Sequence, residues 1–400
     1  MKNIHNLLEQ PDFSLVLGGP LFQILVRSRL ATPALDLLYR RIIFFIMLTW
    51  LPLLILSLAD NKAWGDVGIP FLYDIEVHAR FLVALPLLIA AELLVNQRMR
   101  LIVGQFIDRD IITEALLPKF KEFIASAMKL RNSVAIELML FILAFIVGHF
   151  IWSTVSGIAK IGTGTGTWFA TVTDGGTQRS PAGYWYMFIS RPLFQFILIR
   201  WYFRIFIWVR FLWQTSRLEL NLIPTHPDRA AGLGFLGASS AMFAPLVMAT
   251  GVVTAGLIAD PIFFAGAKLI DFQLEILGVV AFCLLLVLGP LMVFSPLLMR
   301  AKRTGLCEYG ILASRYVSEF DLKWVRAGAA DDEPLIGSGD IQSLADLGNS
   351  FQVIREINPF PFGRDTVIQL VFLTILPGLP LVLTMIPLDE LITKLLRAVF

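Results

Sequence analysis

The sequence predicts an all-α, polytopic membrane protein with about seven transmembrane helices, and three observations carry that prediction. Apolar residues fill 56% of the 400 positions, charged residues only 16%, and the mean hydropathy is +0.73, which leaves too little charge to cover a soluble domain of this length. The apolar residues gather in blocks of about 18 to 25, the length a helix needs to cross roughly 30 Å of hydrocarbon. No series of alternating ten-residue strands argues for a barrel, so helices remain as the elements that satisfy their own backbone in lipid.

The elements follow in order. Residues 15–26 are apolar but broken by Gly18, Gly19 and Pro20, too short to span and expected at the membrane interface. Thr32 and Pro33 read as a helix cap and first position. Spans are expected at 42–59, behind Arg40 and Arg41, and at 81–95, between His78 and Arg80 on one side and Arg98 and Arg100 on the other. Between 105 and 132 the chain is charged, and Phe120, Phe123, Ile124 and Met128 recur at helical spacing after Pro118, as in a helix lying on the cytoplasmic surface. A third span is expected at 134–152, followed by a Gly/Thr-rich loop over 153–183. The fourth, 184–213, holds Arg191, Arg200, Arg204 and Arg210 among aromatic residues. A turn at 224–228 leads to spans at 237–259 and 274–299, a long polar segment over 300–364, and a last span at 366–386. The final residues, 388–400, put Leu388, Leu391, Ile392, Leu395, Leu396 and Val399 on one helical face, as in an interfacial helix. The expected organisation is an N-terminal segment (1–38), a six-helix membrane region (39–299), a cytoplasmic helical segment (300–364), and a last span with an interfacial helix (365–400).

Charge sets the orientation. The N-terminal segment and the even-numbered connections carry 22 Lys and Arg residues against 7 in the odd-numbered connections and the C-terminus, so the N-terminus is expected inside and the C-terminus outside. A bacterial inner-membrane location fits this pattern. The N-terminus has no short apolar core ending in small residues, so the first span is expected to direct insertion. A net charge of +2 and the lack of basic runs interleaved with aromatics argue against a nucleic-acid partner. Cys283 and Cys307 read as two separate thiols, and no motif argues for a catalytic centre, a cofactor or a metal. The chain is therefore expected to have none of the three, and no internal repeat marks it as a two-halved transporter.

Ionisable residues inside the spans carry the functional expectations. Each arginine near the centre of a span costs about 2.5 to 3.5 kcal/mol on insertion scales. On a helix Arg200 and Arg204 fall within about 40° of each other, and Arg210 and Arg217 lie together about 120° away. Arg200 and Arg204 either line a path for anionic groups, balanced by Glu92 and Glu137, or serve as snorkelling and structural charges. Their spacing does not match the every-third-residue pattern of a voltage sensor. His149 lies near the outer end of its span, where an interfacial role is expected. His226 and Asp228, in Thr225-His226-Pro227-Asp228, read as a structural turn at the start of the fifth span, where Gly232, Gly234 and Gly237 allow close packing. Gly251, Ala255 and Ala259 form a small-residue helix contact. The Gly162–Thr167 stretch is a phosphate cradle in composition only. In the polar segment, Asp340 is expected to cap a helix over 341–357 whose Ile341, Leu344, Leu347, Phe351, Ile354 and Ile357 form one stripe, packed on the same chain or on another copy.

The strings HPDRAAGLGFLG (226–237), EYGILASRY (308–316) and GSGDIQSLADLGNSFQVI (337–354) resemble those of a family of bacterial multi-pass membrane proteins. That resemblance implies a shared fold and no particular activity. In topology alone the chain is similar to the insect chemoreceptor channel superfamily, whose members are tetramers with the last helix at the pore. The resulting expectation is a homo-oligomeric channel for ions or small solutes, with Thr366, Gln369, Thr374 and Thr384 as a candidate pore wall and the helix over 341–357 as an assembly anchor. The alternatives are a transporter of an anionic solute using Arg200, Arg204 and Glu92, and a membrane scaffold or sensor acting through its cytoplasmic helices. The lipid bilayer and further copies of the chain are the expected partners.

Overall fold

The computed structural model describes residues 13–30, 32, 37–65, 67–151, 166–173, 176–326, 328 and 338–385. Among these the chain is almost entirely helical. Six helices are long and apolar enough to cross a membrane: α2 (Leu38–Ala59), α3 (Ile75–Asp108), α6 (Pro181–Thr215), α7 (Gly234–Ala265), α8 (Leu269–Val325) and α10 (Arg364–Met385). The third expected span is α5 (Val134–Ile151), whose apolar stretch of described side chains is shorter than the other six. The described residues also form three further α-helices of eight residues or more: α1 (Pro20–Arg27), α4 (Leu117–Arg131) and α9 (Gly339–Arg355).

Proline shapes the two longest buried helices in the same way. Helix α3 widens into π-helical turns at Ala79–Ala84 and α6 at Tyr186–Ser190, and each widening stops two residues short of a proline, Pro86 or Pro192. Proline lacks an N–H and its ring crowds the carbonyl four residues earlier, so a wider turn relieves both conflicts without ending the helix. The cluster of buried apolar side chains is centred on these two helices. Trp201, Trp208 and Phe211 of α6 and Phe81, Leu88, Val95 and Phe106 of α3 belong to it, and all are under 2% exposed.

Two parts of the chain depart from the sequence expectation. Residues 15–26 do not simply lie along a surface. Phe13, Leu15 and Val16 are fully buried, and the Phe13 ring meets those of Trp208 at 6.1 Å and Phe211 at 4.8 Å. Their burial alongside α6 removes from solvent what hydropathy alone assigned to the interface. The loop before α6 contains a two-stranded antiparallel hairpin, β1 (Ala170–Thr173) and β2 (Gly176–Arg179), preceded by the fully buried Trp168. Residues 162–165, 329–337 and 388–400, Pro33 and the side chain of His149 lie outside the described residues.

Helix α8 runs on for 57 residues and α9 packs back against its second half. This hairpin is tied at both ends. Lys323 Nζ and Trp324 Nε1 donate to the Asp340 carboxylate at 2.8 and 2.9 Å, and Lys302 Nζ donates to Ile357 O at 3.0 Å. Asp340 therefore does not cap α9. Its carboxylate faces α8, and the residue at the cap position, Ser338, makes no side-chain cap bond.

Candidate functional site

Glu92 of α3 is the hub of a buried network built from four helices and the N-terminal segment. Its carboxylate pairs with Arg41 of α2, with Arg204 of α6 at 2.8 Å, and with Arg200 of α6 at 3.6 Å. Arg200 Nε also lies 3.1 Å from Glu137 of α5, and the Arg204 guanidinium stacks 4.7 Å from the Trp201 ring centre. Arg41, Glu92, Glu137, Arg200 and Arg204 are each no more than 9% exposed. The one-turn spacing of Arg200 and Arg204 puts both guanidiniums on the face of α6 that meets α3, which is how two residues four apart share one carboxylate.

The segment before α2 closes this network from one side. Ser14 Oγ donates to Asn96 Oδ1 at 2.6 Å, the Leu21 N–H donates to Glu137 Oε2 at 3.2 Å, and Arg200 Nη2 reaches Gly18 O at 3.4 Å. Arg131, at the end of α4, donates to Ser14 O. Two small cavities flank the Arg200–Arg204 pair. One, of about 20 Å³, is bordered by Leu15, Arg131, Glu137 and both arginines; the other, of about 10 Å³, is bordered by Leu21, Leu25, Arg41, Glu92 and the same two arginines. Arg41 Nε and Nη1 are buried and have no hydrogen-bond partner among the described residues. Among the described residues, the three guanidiniums of Arg41, Arg200 and Arg204 face the two carboxylates of Glu92 and Glu137.

A second buried network lies toward the other ends of α3 and α6. Glu76 pairs with Arg80, whose Nη1 donates to Tyr186 Oη at 2.7 Å and whose guanidinium sits 5.7 Å from the Phe194 ring centre. Asp74 caps the start of α3 through the Val77 N–H and accepts from Trp168 Nε1 at 2.9 Å. Asp260 of α7 completes it, with carboxylate oxygens of Asp74, Glu76 and Asp260 within 4.8 Å of one another. Arg191, just past the π-turn of α6, is buried under the influence of Tyr186, Arg80 and Glu76. Three carboxylates at this spacing have the chemistry to hold a hard cation. Glu76 and Asp74 are already engaged by Arg80 and Trp168.

The remaining sequence candidates are dispersed. Arg210 Nη1 donates to Ser126 Oγ on α4, and Arg217 stacks 5.2 Å from the Trp213 ring centre, so neither joins Arg200 and Arg204. On α10, Thr374 is buried against α7, where its main-chain oxygen would meet a Cβ on Gly251 at 2.2 Å, and its Oγ1 donates to Leu370 O. Thr366 is half-buried, Gln369 and Thr384 are exposed, and the outward face of α10 is apolar through Ile368, Phe372, Leu379 and Leu383.

His226 and Asp228 form a tight turn. One Asp228 oxygen accepts from the Ala230 and Gly232 N–H groups at 2.9 and 3.1 Å, the other accepts from Gly234 at 2.8 Å, and His226 Nδ1 lies 2.9 Å from the carboxylate. Burial alone would raise the Asp228 pKa. The three N–H donors and His226 outweigh it and hold the group below the ordinary carboxylate value. These bonds support positive φ angles at Arg229 (53°), Ala231 (51°) and Gly232 (97°). The turn docks on the α8–α9 hairpin: Arg229 Nε pairs with Glu356 at 3.1 Å, Asn358 N–H donates to Arg229 O, and Pro224 lies so close to Gly305 that a Cβ there would be 2.6 Å away. The chain regions of the three strings thus adjoin one another in space.

Sequence reasoning named Arg200, Arg204, Glu92 and Glu137, which the fold brings together. It missed Arg41 and Arg131 as members, along with the whole Asp74 network. The available signal was a run of four ionisable residues at Asp74, Glu76, His78 and Arg80, two apart, directly before an apolar block. Comparison of the chain with family models, with curated proteins and with solved structures finds no match.

Proposed function

We propose that the protein carries a small anionic solute across a cell's inner membrane, through a site formed by Arg41, Arg200 and Arg204 around Glu92. The observation that carries this reading is that, among the described residues, Arg41, Arg200 and Arg204 face only Glu92 and Glu137, and two buried N–H groups of Arg41 have no partner. A buried cation left short of counter-charge is costly, and an ionisable group inside the membrane is a functional candidate by default. An anion at this site would supply both the missing charge and the missing acceptors. In this reading α5 is a seventh span, the N-terminus lies inside, and the Glu92 network sits in the inner half of the bilayer.

The test is uptake of radiolabelled phosphate, acetate and chloride into proteoliposomes. Saturable uptake of one of them, lost in Arg200→Ala, supports the reading. Uptake that is absent, or indifferent to Arg200→Ala, sinks it.

A homo-oligomeric channel is the second reading. It is favoured by the peripheral position of α10, which packs on α7 and α8 on one side and exposes an apolar face on the other, and by the projecting α8–α9 hairpin as an assembly anchor. A monomer in mild detergent with no single-channel currents in planar bilayers would remove it.

A further inference from the structure

The N-terminal segment over residues 13–27 borders both cavities beside Arg200 and Arg204 and bonds to Glu137, Arg131 and Arg200. Leu15 borders one cavity, and Leu21 and Leu25 border the other. Each cavity has room for about one water molecule at most. A phosphate or carboxylate group cannot enter either until something withdraws. Besides α6, which carries the two arginines, the segment is the element that lines both cavities among the described residues.

Its main chain also occupies the arginine donors. Arg131 donates to Ser14 O and Arg200 reaches toward Gly18 O, so two guanidiniums that face the larger cavity are aimed at carbonyl oxygens of this short stretch. A carbonyl oxygen is a neutral acceptor. A guanidinium bonds more strongly to an anionic oxygen, and its planar fork matches a carboxylate or phosphate better than it matches a spherical ion.

Glycine makes the close approach feasible. Gly18 has φ +144° and Gly19 φ +86°, and a Cβ on Gly18 would stand 2.4 Å from Asn132 Oδ1 and 2.7 Å from Arg131 Nε. The backbone can pass this near the guanidiniums only because no side chain intervenes. Among the described residues, two further polar bonds hold the segment, Ser14 Oγ to Asn96 and the Leu21 N–H to Glu137, beside the buried side chains of Phe13, Leu15 and Val16.

We propose that residues 13–27 form a gate over a site for a soluble oxyanion, with the Ser14 and Gly18 carbonyl oxygens standing where ligand oxygens bind, so that ligand entry and release of the segment are one event. This inference rests on the anion-transport reading. It adds the ligand class, a carboxylate or phosphate group, and the element that controls access.

The experiment uses the full chain with Cys283→Ala and Cys307→Ser, to which Ser14→Cys is added. Inorganic phosphate or acetate, raised at constant ionic strength against chloride, should speed maleimide labelling of residue 14 several-fold, whereas chloride should not. A second variant, Ser14→Cys with Asn96→Cys, should lose uptake by about tenfold or more when oxidised to the disulfide and regain it on reduction. Labelling indifferent to phosphate and acetate, or uptake indifferent to the cross-link while the reduced protein transports, overturns the gate and leaves the transport reading standing. Labelling that follows the phosphatidylglycerol content of the vesicles instead of phosphate concentration assigns the oxyanion to a lipid headgroup and overturns the soluble ligand. Oxyanion-dependent labelling in a protein that shows no uptake supports the occluded site and sinks the transport reading.

Discussion

The two buried networks use the same pair of helices and differ in what they leave unfinished. Around Glu92, among the described residues, three arginines face two carboxylates, Arg41 keeps two N–H groups without partners, and two small cavities flank Arg200 and Arg204. Around Asp74, three carboxylates gather beside Arg80, and Trp168, Tyr186 and Phe194 pack over the charged groups. Glu76 and Glu92 are 16 positions apart on α3, about 24 Å at 1.5 Å per residue. The two networks therefore lie most of a bilayer's thickness apart. The comparison teaches that burial of charge is not one phenomenon. In the Asp74 network it gathers α3, α6 and α7 under an aromatic cover, while in the Glu92 network it leaves two Arg41 N–H groups without a partner among the described residues.

The sharpest way to break this contrast is to remove the hub of each network. Glu92→Ala strips the shared carboxylate from three arginines and should destabilise the protein by about 3–5 kcal/mol, read as a lower thermal midpoint in detergent, because it leaves buried charge unpaired. Arg80→Ala should cost a similar amount by the same logic for Glu76, yet leave anion affinity unchanged in whatever fraction stays folded. If Arg80→Ala weakens anion binding as strongly as Arg200→Ala does, the division of labour is wrong. Below these comes the turn at His226 and Asp228. Asp228→Ala removes an acceptor from three N–H groups and should cost about 1–3 kcal/mol. Since Asp228 is held below its ordinary pKa, its contribution is complete above about pH 4 and disappears as pH falls through the depressed value, so the midpoint of the wild type should drop faster in acid than that of the variant. Smallest is Arg229→Ala. It breaks a partly exposed pair with Glu356, worth about 1 kcal/mol or less, and should mainly raise protease sensitivity of the α8–α9 hairpin.

How much of this was legible in the sequence follows from how hydropathy is averaged. The spans show as apolar blocks because lipid demands them, and Arg200, Arg204, Glu92 and Glu137 stand out because they interrupt such blocks. Arg41, Arg131 and the Asp74 network did not stand out, since each lies at a block's edge. A window of about 18 residues is penalised by every charge it includes, so the second span reads as 81–95 when the helix runs Ile75–Asp108, and the fifth stops one residue short of Asp260. Charges that pair with each other inside the fold are thereby assigned to loops. The burial of Phe13, Leu15 and Val16 was hidden for a different reason, because a segment too short to span gives no local signal of what will cover it. Gly18 and Gly19 did mark the place where the chain turns, but their use, a close pass by the Arg131 and Arg200 guanidiniums, depends on residues more than 100 positions away.

The central claim is that the Glu92 network binds an anion, and the most direct measurement is the thermal midpoint of the purified protein titrated with phosphate or acetate at constant ionic strength. A ligand that binds only the folded state stabilises it by about 2.7 kcal/mol at a hundred times its dissociation constant. A saturable rise is predicted for the wild type and for Arg80→Ala, and none for Arg200→Ala. A flat titration of the wild type, or an equal rise in Arg200→Ala, would contradict the account.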